Sequence, residues 1–286
     1  MVRESCSEQW ATRARAPSTS TKRMRILILG DVVGRPARRA VRELVPSLIQ
    51  SESIDLAIAN AENAAGGMGV DVKSAQELFS SGIHVLTSGN HIWKKKEIFS
   101  YLDEHSYLLR PANYPEGVPG RGWCEWQKNG LTALVINVQG RVFMPNHVDD
   151  PFRSVDRILQ QHGRHSRVVI VDMHAEATSE KNAMGWYLDG RASAVFGTHT
   201  HVQTADERIL PNGTAYITDV GMCGPFDSVI GIEREIVITG FLTQLPRKFE
   251  VAQDNIVLQG VIVEVDEQSG KARQIQRLRV HGERSE

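Results

Sequence analysis

The sequence predicts an α/β fold with a mainly parallel core and an antiparallel C-terminal hairpin. From Met24 onward, short apolar runs alternate with segments of helical periodicity, as in strands joined by crossover helices. After Thr198 the pattern changes to short strands around turns. Polar residues follow nearly every apolar run. Because ligands in open α/β sheets gather beyond the carboxyl ends of the strands, those polar residues are the candidates for a functional site.

Five apolar runs have the length and composition of strands that are buried on both faces. They are residues 26–29, 56–59, 85–87, 134–138 and 168–171, and a sixth run covers residues 193–196. Helical spacing or composition is found in residues 38–51, 73–81, 94–104, 151–162 and 179–189. Pro36 and Pro151 suit helix starts, since proline is favoured in the first helical turn.

Two hairpins are predicted in the last part of the chain. Residues 208–210 and 215–218 flank the turn Pro211-Asn212-Gly213, and residues 255–265 and 272–280 flank a turn at 268–270. The second pair alternates apolar and polar residues, as strands with one solvated face do. One sheet with an antiparallel extension and two packed sheets flanked by helices both satisfy this pattern.

The composition excludes several classes of protein. Lys plus Arg number 33 against 34 Asp plus Glu, so no overall charge attracts nucleic acid or an anionic membrane, and we expect no stable complex with either. The three scattered cysteines predict neither a disulfide framework nor a thiolate zinc site, which favours a cytoplasmic location. Residues 1–23 lack apolar periodicity and predict a disordered tail, followed by a single catalytic domain over residues 24–286.

Carboxylate, amide and imidazole side chains recur directly after the predicted strands. The candidates are Asp31, Glu62, Asn63, Asn90, His91, His174, His199 and His201. Hard oxygen donors with imidazoles and no thiolate suit a dinuclear iron, manganese or zinc site. Two such ions roughly 3.5 to 4 Å apart can hold both the attacking and the leaving oxygens of a phosphoryl group. Each motif alone is weak, and their joint occurrence at strand ends carries the prediction.

The motifs resemble the YmdB-like subfamily of the calcineurin-like metallophosphoesterases. The resemblance extends over residues 24–281 and includes ILGDVVGRPARRAV, NAENAAGGMG, TSGNHIW, DMHAEATSEKNAMGWYLDGRASAVFGTHTHVQTAD and ILPNGTAYITDVGMCGP. It implies a four-layer αββα sandwich with two metal ions, commonly iron, that acts on 2′,3′-cyclic nucleotides and related small phosphodiesters. Homo-oligomers are frequent in this family, so we also expect one here.

The resemblance also implies roles for individual residues. Asp31, Glu62 and His201 would hold one metal ion. Glu62 would bridge to the second ion, which would be held or lined by Asn63, Asn90, His174 and His199. His91 would be the proton donor, while a hydroxide bridging the ions attacks phosphorus. The chain lacks the histidine that usually follows the Gly-Asp motif, and Glu62 stands where aspartate is common, so the first ion has fewer imidazole ligands.

Several alternatives stay open from the residues alone. A phosphomonoesterase or a nuclease would share the metal ligands and differ only in the pocket. A regulator that binds a nucleotide without turning it over would not need His91. A metal-dependent amidohydrolase also uses a His-x-His pair, but that pair normally follows an early strand, whereas His199 and His201 come late.

Overall fold

The computed structural model describes residues 23–282. The predicted N-terminal tail of residues 1–23 lies outside the described residues except for Arg23. Arg23 already pairs with Asp266 in the first strand. This strand therefore begins one residue before residue 24, the predicted start of the domain, and three residues before the predicted apolar run 26–29.

The helices and strands form two consecutive groups, and the last part of the chain then rejoins the sheet of the first group. The first group is β1 (Arg23–Val32), α1 (Gly34–Ser51), β2 (Leu56–Asn60), α2 (Val72–Ser80), β3 (Val85–Thr87) and α3 (Ile98–Glu104). The second group is β4 (Trp123–Lys128), β5 (Leu131–Gln139), α4 (Pro151–His162), β6 (Val168–His174), α5 (Thr178–Tyr187), β7 (Ala194–Thr198), β8 (Arg208–Ile209) and β9 (Ala215–Ile217). The chain returns through β10 (Met222–Pro225), α6 (Arg234–Thr243), β11 (Ile256–Asp266) and β12 (Ala272–His281).

Two six-stranded sheets result, both with parallel centres. The first has the order β12-β11-β10-β1-β2-β3, in which β1 is parallel to β2 and β10, and the hairpin β11–β12 is antiparallel. The second has the order β4-β5-β6-β7-β9-β8, with antiparallel strands at its two edges. The predicted parallel core and antiparallel C-terminal hairpin are confirmed.

Side-chain alternation along the strands sorts the core into layers. In β1, Ile26 and Ile28 belong to an apolar cluster shared with the second sheet, whereas Leu27 and Leu29 belong to a cluster shared with α1, α2 and α3. A third cluster joins the far face of the second sheet to α4 and α5. The order helix, sheet, sheet, helix is the four-layer αββα sandwich, so the alternative of one extended sheet is wrong.

The helix predictions hold with one exception. Helix α4 begins at Pro151 as predicted, and the Asp150 carboxylate before it accepts hydrogen bonds from two backbone amides of the first turn. The helix predicted over residues 94–104 is instead a single 3-10 turn, Ile92–Lys94, followed by α3. Lys95 has an extended backbone conformation that separates the two. The tight turn keeps the residues after β3 at the end of the sheet.

Two further observations concern the described residues only. Between residues 23 and 282, no helix combines the length and the apolar composition that a membrane span needs. Cys124 and Cys223 are buried free thiols, and burial raises the pKa of each to about 12.

Candidate metal centre

The carboxyl ends of strands from both sheets meet at one edge of the sandwich. Asp31 lies near the end of β1, and Glu62 and Asn63 follow β2. The remaining candidates are Asn90 and His91 after β3, His174 at the end of β6, and His199 and His201 after β7. Side-chain and backbone contacts link all eight predicted residues into one cluster. The cluster includes residues as distant along the chain as Asp31 and His201.

His174 lies at the centre of a tight group of donor atoms. Its Nε2 atom is 3.1 Å from each of Glu62 Oε2, Asn90 Oδ1 and His199 Nδ1. A single N–H group cannot donate to three partners, but one cation can be shared by all four atoms. Spacings of about 3 Å are those of neighbouring ligands around an ion with bonds of roughly 2.1 Å.

The outward nitrogens of the two imidazoles in this group are held by acceptors. The Thr198 hydroxyl donates to Asp172 Oδ1 at 2.7 Å, so it accepts from His174 Nδ1 at 2.9 Å. His199 Nε2 lies 3.3 Å from a carboxylate oxygen of Glu176. Both arrangements place the ring proton on the outer nitrogen and leave an inner lone pair, as in metal-binding histidines.

Asp31 and His201 form a second group beside the first. Asp31 is fully buried, and its Oδ2 atom accepts the His199 backbone N–H at 3.1 Å. Its Oδ1 atom has no hydrogen-bond partner among the described residues and lies 3.6 Å from His201 Nε2. His201 Nδ1 donates to the Ile230 carbonyl at 2.9 Å, which directs the inner nitrogen at Asp31. A buried carboxylate oxygen without a partner is the feature that a bound cation would explain.

Asn63 and His91 connect the two groups at the rim. The Asn63 amide lies 3.1 Å from His201 Nε2 and 3.3 Å from Glu62 Oε1, and its Oδ1 atom lies 2.9 Å from His91 Nδ1. Asn63 is therefore placed with His201 rather than with His174. The His91 backbone N–H donates to Glu62 Oε2 at 3.2 Å, while the His91 side chain is 23 % exposed. The His199 side chain is exposed to a similar extent, at 20 %, but its ring also contacts His174 and Glu176, whereas the His91 ring contacts Asn63 and Glu62 from the rim.

Close approach in the site depends on Gly89. A Cβ atom at Gly89 would lie 2.1 Å from the His174 ring and 2.4 Å from Glu62 Oε2. Such distances are impossible, so the glycine of the Gly-Asn-His motif allows the loop after β3 to close over the cluster. Two ligand candidates are conformationally strained as well, since His199 has a φ of 98° and His201 a φ of 64°. Such left-handed conformations cost on the order of 1–3 kcal/mol each outside glycine, and surrounding contacts must hold them.

The electrostatics of the cluster favour added positive charge. Burial opposes ionisation of Glu62, but the charges of His174 and His91 lower the pKa of Glu62 well below its ordinary value. Burial likewise opposes the charge on His201, yet Asp31 raises the pKa of His201 to about 9. Burial and the charge of His174 together lower the pKa of His199 to about 4. Two buried carboxylates thus stabilise protons on the imidazole nitrogens that face them. A metal ion would compete with these protons for the same nitrogens.

The structure adds residues that the sequence analysis missed. Lys181 and Asp219 form a buried ion pair with an N–O distance of 2.7 Å, directly behind the loop that carries His199 and His201. Thr198 fixes the His174 ring, as described above. A lysine on a helix is ordinarily solvent-exposed, so no sequence signal distinguished Lys181.

Known proteins are similar in sequence to this chain over most of its length. The sequence model of the YmdB-like protein family matches residues 27–278. The chain belongs to this family. It is also 51 % identical over 258 residues to the 2′,3′-cyclic-nucleotide 2′-phosphodiesterase of Bacillus subtilis (strain 168), covering 90 % of this chain and 97 % of that protein. The predicted family membership is confirmed, and so is the prediction that this YmdB-like chain is an enzyme.

Solved structures of related proteins share the fold over nearly their whole length. A protein from Thermus thermophilus is 44 % identical, with a TM-score of 0.85 over 90 % of this chain and 99 % of that one. A phosphatase from Mycoplasma pneumoniae is 36 % identical, with a TM-score of 0.86 over 91 % of this chain and 94 % of that one. The four-layer sandwich of this YmdB-like chain is therefore confirmed.

Proposed function

We propose that this YmdB-like chain is a dinuclear-metal phosphodiesterase that hydrolyses 2′,3′-cyclic nucleotides. The observation that carries the proposal is that several nitrogen and oxygen atoms with lone pairs face one another, and hydrogen bonds alone cannot satisfy all of them. His174 Nε2 faces three donor atoms at 3.1 Å, and Asp31 Oδ1 is buried without a partner among the residues that the structure describes. The activity named for the Bacillus subtilis relative supports the choice of substrate.

The two groups of donors suggest which residues hold which ion. Glu62, His174, His199 and Asn90 would hold one ion, since their donor atoms surround His174 Nε2. Asp31 and His201 would hold the other, with Glu62 contributing its second oxygen and Asn63 lying alongside. Nitrogen and oxygen donors without thiolate suit iron, manganese or zinc, and iron is the metal we propose. When bound, two such ions supply Lewis acidity and a hydroxide nucleophile at neutral pH.

His91 is the residue of this chain that we propose to move a proton. Its imidazole is partly open to solvent, and Asn63 Oδ1 at 2.9 Å from Nδ1 fixes the ring orientation. In the imidazolium form, Nδ1 donates its proton to Asn63 and Nε2 carries the second proton, which it can transfer to the departing ribose oxygen, leaving a neutral ring. Cleavage of the bond to the 2′ oxygen leaves a 3′-phosphate, which is the product we expect.

Both sheets supply ligands, so we propose that residues 24–286 act as one catalytic domain. Asp31 lies in a strand of the first sheet and Glu62 follows another, whereas His174 lies in a strand of the second sheet and His199 follows another. An isolated half of the sandwich would hold at most part of either group.

The proposed activity is tested by following 2′,3′-cyclic AMP with the metal-loaded protein by ³¹P NMR. We expect the signal of the cyclic phosphate to be replaced by that of the 3′-phosphate alone. Release of inorganic phosphate from 3′-AMP would indicate a phosphomonoesterase, and cleavage of RNA at a higher rate would indicate a nuclease. Binding without turnover would indicate a nucleotide-sensing regulator and contradict the proposal.

Helix α6 supports the prediction of a homo-oligomer. None of its residues is buried, and Ile238, Phe241 and Leu242 recur at the spacing of one helical face while remaining 46–80 % exposed. The segment before this face, Glu233, Arg234 and Glu235, has a net negative charge, and basic Arg247 and Lys248 follow the face. Two antiparallel copies would therefore pair opposite charges around a shared apolar contact. We propose a second copy of this chain as the occupant.

Replacing Leu242 by glutamate is expected to convert the assembly into monomers, because each copy would bring an unpaired carboxylate into the shared apolar contact. Sedimentation velocity measures the change. Ile209→Glu, which alters an exposed residue on β8, is the matched control and should leave the assembly intact. A wild-type chain that sediments as a monomer would contradict the proposed contact.

A further inference from the structure

A buried ion pair lies behind the loop that carries His199 and His201. Lys181 in α5 and Asp219 after β9 are 1 % and 0 % exposed, and Lys181 Nζ lies 2.7 Å from Asp219 Oδ2. A buried ion pair adds little net stability over apolar packing of the same volume. Stability alone therefore does not explain this ion pair, and its contacts with neighbouring elements indicate its role.

The pair is joined to the loop through Thr200, the residue between the two histidines. Thr200 donates to Asp219 Oδ2 through its hydroxyl at 2.7 Å and its backbone N–H at 3.3 Å. Lys181 Nζ lies 3.5 Å from the same hydroxyl. One carboxylate oxygen thus binds both the side chain and the main chain of Thr200.

The other oxygen of Asp219 reaches the strand that carries Asp31. Asp219 Oδ1 accepts the Gly221 N–H at 2.8 Å, and the Gly221 carbonyl accepts the Asp31 N–H at 3.2 Å. Asp219 therefore ties the loop after β7 to the end of β1. These are the two segments that supply Asp31 and His201 to the site.

Thr200 is flanked on both sides by strained backbone. His199 and His201 have positive φ angles of 98° and 64°, which residues with a Cβ atom adopt only when neighbouring contacts fix them. The same conformations direct both imidazoles into the cluster. Gly197 makes room for the arrangement, since a Cβ atom there would lie 2.7 Å from Lys181 Cδ and 1.8 Å from the Thr218 carbonyl.

We propose that Lys181, Asp219 and Thr200 are positioning residues that hold His199 and His201 ready for metal binding, an inference that rests on the function proposed above. The three residues act through the histidines, because their own polar atoms are engaged with one another. Removing the Thr200 hydroxyl leaves only the longer backbone N–H bond to Asp219, so the loop between the histidines is held less firmly and the metal-free site loses part of the geometry that ion binding requires.

The test measures the affinity of the metal-free full chain for Mn²⁺ alone, by calorimetry, in matched variants. Thr200→Val keeps the shape of the side chain and removes the hydroxyl, and we expect it to weaken Mn²⁺ binding roughly 10- to 100-fold. Thr200→Ser restores a hydroxyl and should restore the affinity. The control is Thr214→Val, because Thr214 is more deeply buried than Thr200, so the change disturbs packing at least as much, and its hydroxyl donates to the Ala192 carbonyl at 2.6 Å, away from the site.

The outcomes separate this inference from the proposed function. Wild-type affinity in Thr200→Val, or an equal loss in Thr214→Val, would overturn the positioning role while leaving the metal site intact. A wild-type chain that binds no Mn²⁺ would overturn the proposed function itself. Thr200→Ala, which adds no group to the loop, is the second variant if Thr200→Val does not fold, and the same loss is expected.

Discussion

Glu62→Ala should bind at most one metal ion per chain, and its turnover of cyclic nucleotides should fall by more than about 10³-fold. Both carboxylate oxygens of Glu62 face the cluster, with Oε2 at 3.1 Å from His174 and Oε1 at 3.4 Å from His91 Nδ1. Loss of one preorganised electrostatic contact typically costs 10²–10³ in rate, and loss of a shared metal ligand removes several such contacts. Metal analysis together with steady-state kinetics measures both effects.

Glu180→Ala is the matched control for that variant. Glu180 is also a largely buried carboxylate, but it accepts the backbone N–H groups of Arg141 and Val142 instead of facing the cluster. We expect Glu180→Ala to keep two ions per chain. Two ions per chain in Glu62→Ala would contradict the bridging role of Glu62.

His91→Ala is expected to retain both metal ions and to lose roughly 10² to 10⁴ in kcat, the usual contribution of a general acid. The ring is 23 % exposed and contacts Asn63 and Glu62 from the rim, so its removal leaves the inner donors in place. The loss should shrink with a substrate whose leaving group is acidic, such as bis-p-nitrophenyl phosphate, because that group needs no proton.

His105→Ala serves as the control, since His105 lies at the end of α3 and stacks on Tyr101 away from the cluster. Its turnover should equal that of the wild type with both substrates. If His91→Ala turned over 2′,3′-cyclic AMP at the wild-type rate, His91 would have no part in the mechanism.

The parallel strands and their polar ends could be predicted because local pattern and topology agree. Apolar runs such as residues 26–29 are buried on both faces, and the carboxyl ends of parallel strands necessarily meet at one edge. Asp31 and Glu62 could therefore be placed together from the sequence alone. His199 and His201 follow the apolar run 193–196 and were therefore predicted at the same edge.

Helix α6, strand β10 and the Lys181–Asp219 pair could not be predicted from the sequence. Helix α6 contains β-branched residues and a glycine, and its apolar face contacts no core among the described residues, so neither propensity nor burial marks it as a helix. Strand β10 has only four residues and ends in proline. The pairing of Lys181 with Asp219 joins residues 38 positions apart, and only the folded chain shows that this lysine is buried.

Crystals soaked in Mn²⁺ and measured at the manganese absorption edge test the central claim most directly. The account predicts two anomalous peaks per chain. One should lie among Glu62, His174 and His199, and the other between Asp31 and His201. A single peak, or peaks away from these side chains, would contradict the proposal of a dinuclear site.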